Sequence, residues 1–224
     1  LIVAGEPNSG KTSISKTLLN YLTRLKFRPI LVDLAVDFNI LGPPGSIGIK
    51  LIENIILPDE EIDSNSLIFS VGKDFLGNQK FQDYKKIIES IISTLKNLLS
   101  KSEKSKNKFF ILTKLSSISG AADLSIFEEV YSSISSVSQN FLVIGLGLLS
   151  SRLSQKLPNS KIFKIQKSDA IFPLNSSSDK RRKNNFLAKG YLNGWQQKLL
   201  PSKKILRFGT FTVYKITENY LQPS

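Results

Sequence analysis

Residues 5–12 read Gly-Glu-Pro-Asn-Ser-Gly-Lys-Thr, eight residues that carry the parts needed to hold a polyphosphate. Gly5 and Gly10 permit backbone angles and a close approach that a side chain blocks. The N–H groups of such a loop turn inward and form an anion-binding nest. A helix starting at the same point adds the positive end of its dipole. Lys11 then reaches the outer phosphates of a nucleoside triphosphate, and the Thr12 hydroxyl holds Mg²⁺. Glu6, Pro7, Asn8, Ser9 and Ser13 complete the expected cradle. ATP with Mg²⁺ is the ligand this chemistry predicts.

The flanking elements have the order this chemistry requires. Leu1-Ile2-Val3-Ala4 reads as a buried strand, and Ile14, Thr17, Leu18, Tyr21, Leu22 and Leu25 follow at helical spacing. Arg28-Pro29 marks a turn before a second buried strand, Ile30–Leu34. Residues 42–48, Gly-Pro-Pro-Gly-Ser-Ile-Gly, read as a loop, and Leu67–Gly72 as a strand. Tyr84–Leu99 carries Ile87, Ile88, Ile91, Ile92, Leu95 and Leu99 on one face of a helix. Residues 101–108 form a Ser/Lys linker. Further strands are expected at Phe109–Thr113, Phe141–Gly145 and Lys161–Gln166, with helices at Leu124–Val137 and Leu148–Leu157. The expected fold is α/β of the P-loop NTPase type. Its sheet is mostly parallel with helices on both faces, and a short β-rich C-terminal segment follows. Ligands in such sheets bind at the carboxyl ends of the strands, where the phosphate loop lies. The expected division is a nucleotide-binding domain over residues 1–195 and the start of a small β-rich domain over 196–224. Strands near 205–208 and 210–216 mark the latter.

Composition narrows the chemistry further. The chain has 224 residues, no Cys and no His. Disulfides, thiolate nucleophiles and imidazole bases or metal ligands are therefore excluded within it. Lacking a run of eighteen apolar residues, it is expected to have no membrane partner. The chain opens directly on a core strand without an initiator Met, which reads as a portion of a longer protein. Charge is lopsided: residues 1–150 hold 16 Lys and Arg against 15 Asp and Glu, residues 151–224 hold 15 against 3. Its densest run is Lys180-Arg181-Arg182-Lys183. Two readings accord with this field: a surface for RNA or an acidic protein, and a solvated face in a lysine-rich composition.

Beyond the phosphate loop, the chain resembles the polyribonucleotide 5′-hydroxyl-kinase family, and within it the kinase-like subunits of the eukaryotic pre-mRNA cleavage and polyadenylation factor. The residues that carry the resemblance run in order: Gly5–Thr12, Leu18-Leu19-Asn20-Tyr21, Arg28-Pro29, Val32-Asp33-Leu34, Pro44-Gly45-Ser46-Ile47-Gly48, Gly72, Gly77-Asn78 with Tyr84, Leu157-Pro158, Lys167-Ser168, Tyr191-Leu192-Asn193-Gly194 and Tyr214-Lys215. The resemblance implies ATP and Mg²⁺ on the phosphate loop, an acidic pair after the second strand that helps the metal and activates an RNA 5′-hydroxyl, and lid arginines on the transferring phosphate. It makes Lys11, Asp33, Asp37 and Arg181 the catalytic candidates, and Thr12 with Asp33 the metal ligands. A nuclear location and a protein partner in the cleavage and polyadenylation factor are implied as well, with RNA as a further partner.

The chain departs from that pattern at two places. Its acidic element reads Asp33-Leu34-Ala35-Val36-Asp37, with a methyl group where the second carboxylate is expected. In an extended segment Asp33, Ala35 and Asp37 share a face, which leaves Asp37 as a substitute acid or a turn residue. Asn184 and Leu187 stand where the lid has further arginines, and lysine is a poor replacement for a bidentate clamp. The reading preferred on these grounds is an ATP-binding, catalytically weak or inactive scaffold subunit in mRNA 3′-end processing. An active RNA 5′-hydroxyl kinase and a plain P-loop hydrolase are the alternatives.

Overall fold

The structure, a computed structural model, describes residues 1–36, 38–57, 62, 66–72, 78–102, 108–118, 121–136, 140–144, 151, 153–155, 159–169, 189, 214–216 and 221–223. Seven strands form one sheet: β1 (Ile2–Gly5), β2 (Arg28–Asp33), β3 (Ser46–Leu51), β4 (Leu67–Ser70), β5 (Phe109–Lys114), β6 (Phe141–Ile144) and β7 (Ile162–Ile165), in the order β4-β3-β2-β5-β1-β6-β7. The five strands from β2 to β7 in that order are parallel, while β3 and β4 extend the sheet antiparallel at one edge. A parallel sheet needs crossovers, and these put helices on its faces. They are α1 (Lys11–Arg24), α2 (Asn78–Ser102) and α3 (Ala121–Ile134).

Strand alternation splits the core cleanly. Val3, Leu31, Leu112, Leu142 and Ile144 point to one face, where Leu19 of α1 packs on them. Ile2, Ala4, Ile30, Val32, Ile111, Phe141 and Val143 point to the other, under Ile88, Ile91 and Leu95 of α2 and Phe127, Val130 and Ile134 of α3. Period-two strands meeting period-3.6 helices on each side is the pattern that a doubly covered sheet demands.

Three elements differ from the sequence reading. Arg28 and Pro29 do not mark a turn but open β2, opposite Phe109 and Phe110 of β5. Residues 42–48 do not form a single loop, because β3 already begins at Ser46 and pairs with both β2 and β4. Gly48 disguises it: a Cβ there would stand 3.2 Å from Leu41 and 3.3 Å from the Leu67 carbonyl, a tight fit that a glycine in the strand relieves. At the C-terminal end, β8 (Tyr214–Ile216) pairs antiparallel with β9 (Leu221–Pro223). The second strand of that pair was not expected at 221–223, where Pro223 argues against a ladder position. Asp37, residues 148–150 and 156–157, the basic run 180–183, residues 191–194 and the strand expected at 205–208 lie outside the described residues.

Candidate functional site

The phosphate loop leaves β1 at its carboxyl end and enters α1 at its positive end. Gly5 closes β1 against β6 so tightly that a Cβ would lie 2.5 Å from the Ile144 carbonyl oxygen and 2.7 Å from Ser9 Oγ. At the other end Gly10 takes φ 88°, ψ 15°, the left-handed region that glycine enters at no steric cost. Asn8 is left-handed as well, at φ 53°, a conformation Asn tolerates through local hydrogen bonding. Gly10 is also the N-cap of α1, whose first intrahelical bond runs from Ile14 N–H to its carbonyl at 3.0 Å. No side chain caps this helix and no carboxylate sits in its first turn. Its leading N–H groups and its dipole are thus uncompensated by the protein, which suits an anion. Ser9 Oγ is buried in the loop without a hydrogen-bond partner. An orphaned hydroxyl and an uncapped helix together fit a phosphate chain.

Lys11, the first residue of α1, is buried and folds back over its own loop. Its ammonium donates to the carbonyls of Gly5 at 3.1 Å and Glu6 at 2.7 Å and to Ser117 Oγ at 3.1 Å. Ser117 belongs to a strap, residues 115–118, that continues from β5 alongside the loop. Leu115 N–H donates to Val3 O at 3.1 Å and Ile118 N–H to Gly5 O at 3.2 Å. Lys11 therefore stands between the loop and the strap, on bonds that an arriving phosphate oxygen can replace. Thr12 is half-buried one residue on, and Ser13 is exposed.

On the far side of the strap lies the acidic element. Asp33 ends β2 and is directly opposite Lys114, which ends β5. Both are fully buried. The Lys114 ammonium donates to Asp33 Oδ1 at 3.0 Å, to Oδ2 at 2.9 Å, and to the Phe38 carbonyl at 2.6 Å. Asp33 Oδ1 also accepts from Ala35 N–H at 3.0 Å, and Oδ2 from Ile40 N–H at 2.9 Å. Two donors on each oxygen fill the lone-pair sites a carboxylate offers. Ala35 is buried beside it. Asn39, also buried, donates to Ser46 O at 3.0 Å and accepts from Leu41 N–H at 2.8 Å, and Tyr84 and Ser116 both donate to Leu34 O, at 3.0 and 3.2 Å. Backbone and side-chain bonds thus hold the turn between Leu34 and Leu41.

For Mg²⁺ the fit is divided. The Thr12 hydroxyl stands where the first helical turn can offer it. Asp33, assigned by the sequence as the second metal ligand and as a base, has its oxygens engaged in this arrangement. Among the described residues no three His, Cys, Asp or Glu side chains stand together in a way that could hold a metal. Asp37 and Arg181 lie outside those residues. Sequence reasoning missed Lys114 and Ser117. A lysine closing the apolar run Phe-Phe-Ile-Leu-Thr before Leu115 was the available signal, since charges in a buried strand are rarely unpaired.

The family described as mRNA cleavage and polyadenylation factor CLP1 P-loop matches residues 5–194. A CLP1 homologue of Arabidopsis thaliana is 25% identical over 219 residues, covering 96% of this chain and 48% of the relative. The mRNA cleavage and polyadenylation factor CLP1 of Yarrowia lipolytica is 47% identical over a shorter stretch of 47 residues, 21% of this chain and 10% of the relative. The chain spans about half the length of the curated relatives it matches over most of its own length. Among solved structures, wild-type Clp1p in complex with Pcf11p superposes with a TM-score of 0.71 at 20% identity, covering 86% of this chain and 49% of the other. A second, which concerns an extended Pcf11p–Clp1p interface and ATP loss in a glycine-to-arginine point mutant, gives 0.72 at 19%, covering 89% and 51%. At such identities the likeness shows a shared fold.

Proposed function

The chain belongs to the mRNA cleavage and polyadenylation factor CLP1 P-loop family, and on that premise we propose that it is the ATP-binding core of a kinase-like scaffold subunit in mRNA 3′-end processing. ATP sits on residues 5–13, with Lys11 moving from its own loop to the outer phosphates. A metal bound with the nucleotide takes the Thr12 hydroxyl as its protein ligand. Residues 1–195 form the nucleotide-binding domain and 196–224 begin a second, β-rich one. The partner is a counterpart of Pcf11p, the chain that accompanies Clp1p in the similar structures. The setting is nuclear, and the basic C-terminal third meets RNA or an acidic segment of a partner.

One observation carries the scaffold reading over the kinase. The site keeps every feature that binds phosphate, while its acceptor side has a methyl group at Ala35 and an ion-paired carboxylate at Asp33. Phosphoryl transfer to a hydroxyl needs a group that orients the nucleophile and takes its proton. Neither residue offers one in this arrangement. The test pairs calorimetric titration with ATP and transfer of labelled γ-phosphate to a 5′-hydroxyl RNA, with the full-length protein as control. Binding without label on the RNA is expected. Robust labelling by the unmodified protein overturns the scaffold reading in favour of the kinase, and release of labelled phosphate without RNA overturns it in favour of a hydrolase.

A further inference from the structure

We propose that the Lys114 ammonium is a built-in cation at the acidic element, so that nucleotide binding here does not draw on Asp33 as a ligand for its metal and Asp33 acts as a positioning residue. The inference rests on nucleotide binding at the phosphate loop as proposed above.

Asp33 and Lys114 are partners across the parallel β2–β5 pair, each the last residue of its strand. The carboxyl edge of the sheet, where a ligand docks, thus carries opposite charges side by side, both out of water. A buried charge is tolerated when it is paired and hydrogen-bonded. Here the pairing is complete on the acid: the ammonium spans both oxygens, and two backbone N–H groups take the remaining lone pairs.

Mg²⁺ prefers an octahedral shell of oxygens. To enter that shell, Asp33 would have to give up a donor, and Lys114 would be left buried beside a divalent cation. The ammonium already supplies the positive charge that a metal would bring to this carboxylate.

Lys114 does a second thing that a metal held by phosphates does not. Its bond to Phe38 O, with the Asp33 bonds to Ala35 N–H and Ile40 N–H, fixes the acidic turn from inside the protein. The same residue leads into the strap that meets Lys11 through Ser117. Two lysines therefore bracket the strap: Lys11 is placed to exchange loop carbonyls for phosphate, and Lys114 holds the acceptor side in one position whether or not nucleotide is present.

The test measures ATP affinity of the intact protein by calorimetry in excess Mg²⁺ and in excess EDTA, for wild type, for Lys114→Met, and for the double variant Asp33→Asn with Lys114→Met. Thermal melts check folding. In wild type the ratio of the two affinities reports the metal's contacts with the phosphates and the Thr12 hydroxyl, and it is the reference for both variants. Lys114→Met frees both oxygens of Asp33, and where it folds its Mg²⁺ dependence should exceed that of wild type. The double variant removes both charges at near-constant volume and, where the melts show it folded, should keep the wild-type ratio, whereas an Asp33 that serves as a metal ligand in wild type would make that ratio fall. A folded double variant whose Mg²⁺ dependence falls more than about tenfold below that of wild type overturns the inference and leaves the ATP-binding reading standing. Absence of ATP binding in both conditions overturns the ATP-binding reading itself, and this inference with it.

Discussion

Replacing Gly5 by Ala is the most direct test of how the phosphate loop is built. Its added Cβ would lie 2.5 Å from the Ile144 carbonyl oxygen and 2.7 Å from Ser9 Oγ. The serine can rotate away. The carbonyl cannot, because Gly5 and Ile144 are partners in the parallel β1–β6 pair. Real Cβ atoms essentially never come within 3.0 Å of such an atom, so the two strand ends must part by about half an ångström. Forcing extra volume into a packed site costs about 1–3 kcal/mol. For a chain of this size that lowers the melting temperature by about 2–4 °C per kcal/mol. The displacement falls at the hinge of the loop, so the nest N–H groups lose alignment with the phosphates. Misaligning one charge-assisted bond, worth about 1.5–3 kcal/mol, weakens ATP by about tenfold or more. Scanning calorimetry of the free protein and titration with ATP read the two effects separately. If Gly5→Ala melts within about 1 °C of wild type and keeps its ATP affinity, the close β1–β6 approach is not what fixes the loop.

Three further outcomes follow from the same geometry. Lys11→Ala removes the ammonium now shared between the loop carbonyls and Ser117, and should weaken ATP by about 2 kcal/mol, roughly thirtyfold, in the same titration. Equal affinity of variant and wild type would refute the role of this lysine. Ala35→Asp adds a carboxylate two residues from Asp33, and a clear rise in label on 5′-hydroxyl RNA would identify the missing acid as the defect. No rise points instead to the lid or to the ion-paired Asp33. Arg181→Ala with Arg182→Ala should weaken RNA binding across sequences and make its salt dependence shallower, by about one unit of slope for each phosphate no longer neutralised; a flat salt slope in the parent protein would remove RNA as the partner of this segment.

Much of the fold was legible because burial leaves a period in the sequence. Continuous apolar runs gave β1, β2, β5 and β6, and the spacing of Ile88, Ile91 and Leu95 gave α2. The phosphate loop was legible for a different reason: each residue type in it answers to one constraint, the close approach at Gly5, the positive φ at Gly10 and the charge at Lys11. What escaped were features that depend on pairing between distant segments. β3 carries glycine and lysine among its apolar residues, and its identity as a strand comes from β2 and β4 on either side. Asp33 read as a metal ligand because the family resemblance implied an acidic pair there. Its partner Lys114 is 81 residues away and reaches it only through strand register.

On the scaffold reading proposed above, that ion pair bears on what the site is for. A kinase must be able to rearrange its acceptor side around two substrates, whereas a nucleotide-dependent scaffold profits from an acceptor side that stays in place. Here the turn between Leu34 and Leu41 is held by Asp33, Lys114, Asn39, Tyr84 and Ser116 through bonds internal to the protein. The phosphate side is the adaptable one, since Lys11 and Ser9 have exchangeable or unfilled hydrogen-bonding capacity toward a ligand. Ligand binding to such a fold stabilises it by mass action, about 2.7 kcal/mol at a hundredfold excess over Kd. The gain is delivered where β1, β6 and the strap converge. On the scaffold reading proposed above, ATP would act as a structural part of the fold, and its hydrolysis or transfer would remove the part rather than use it.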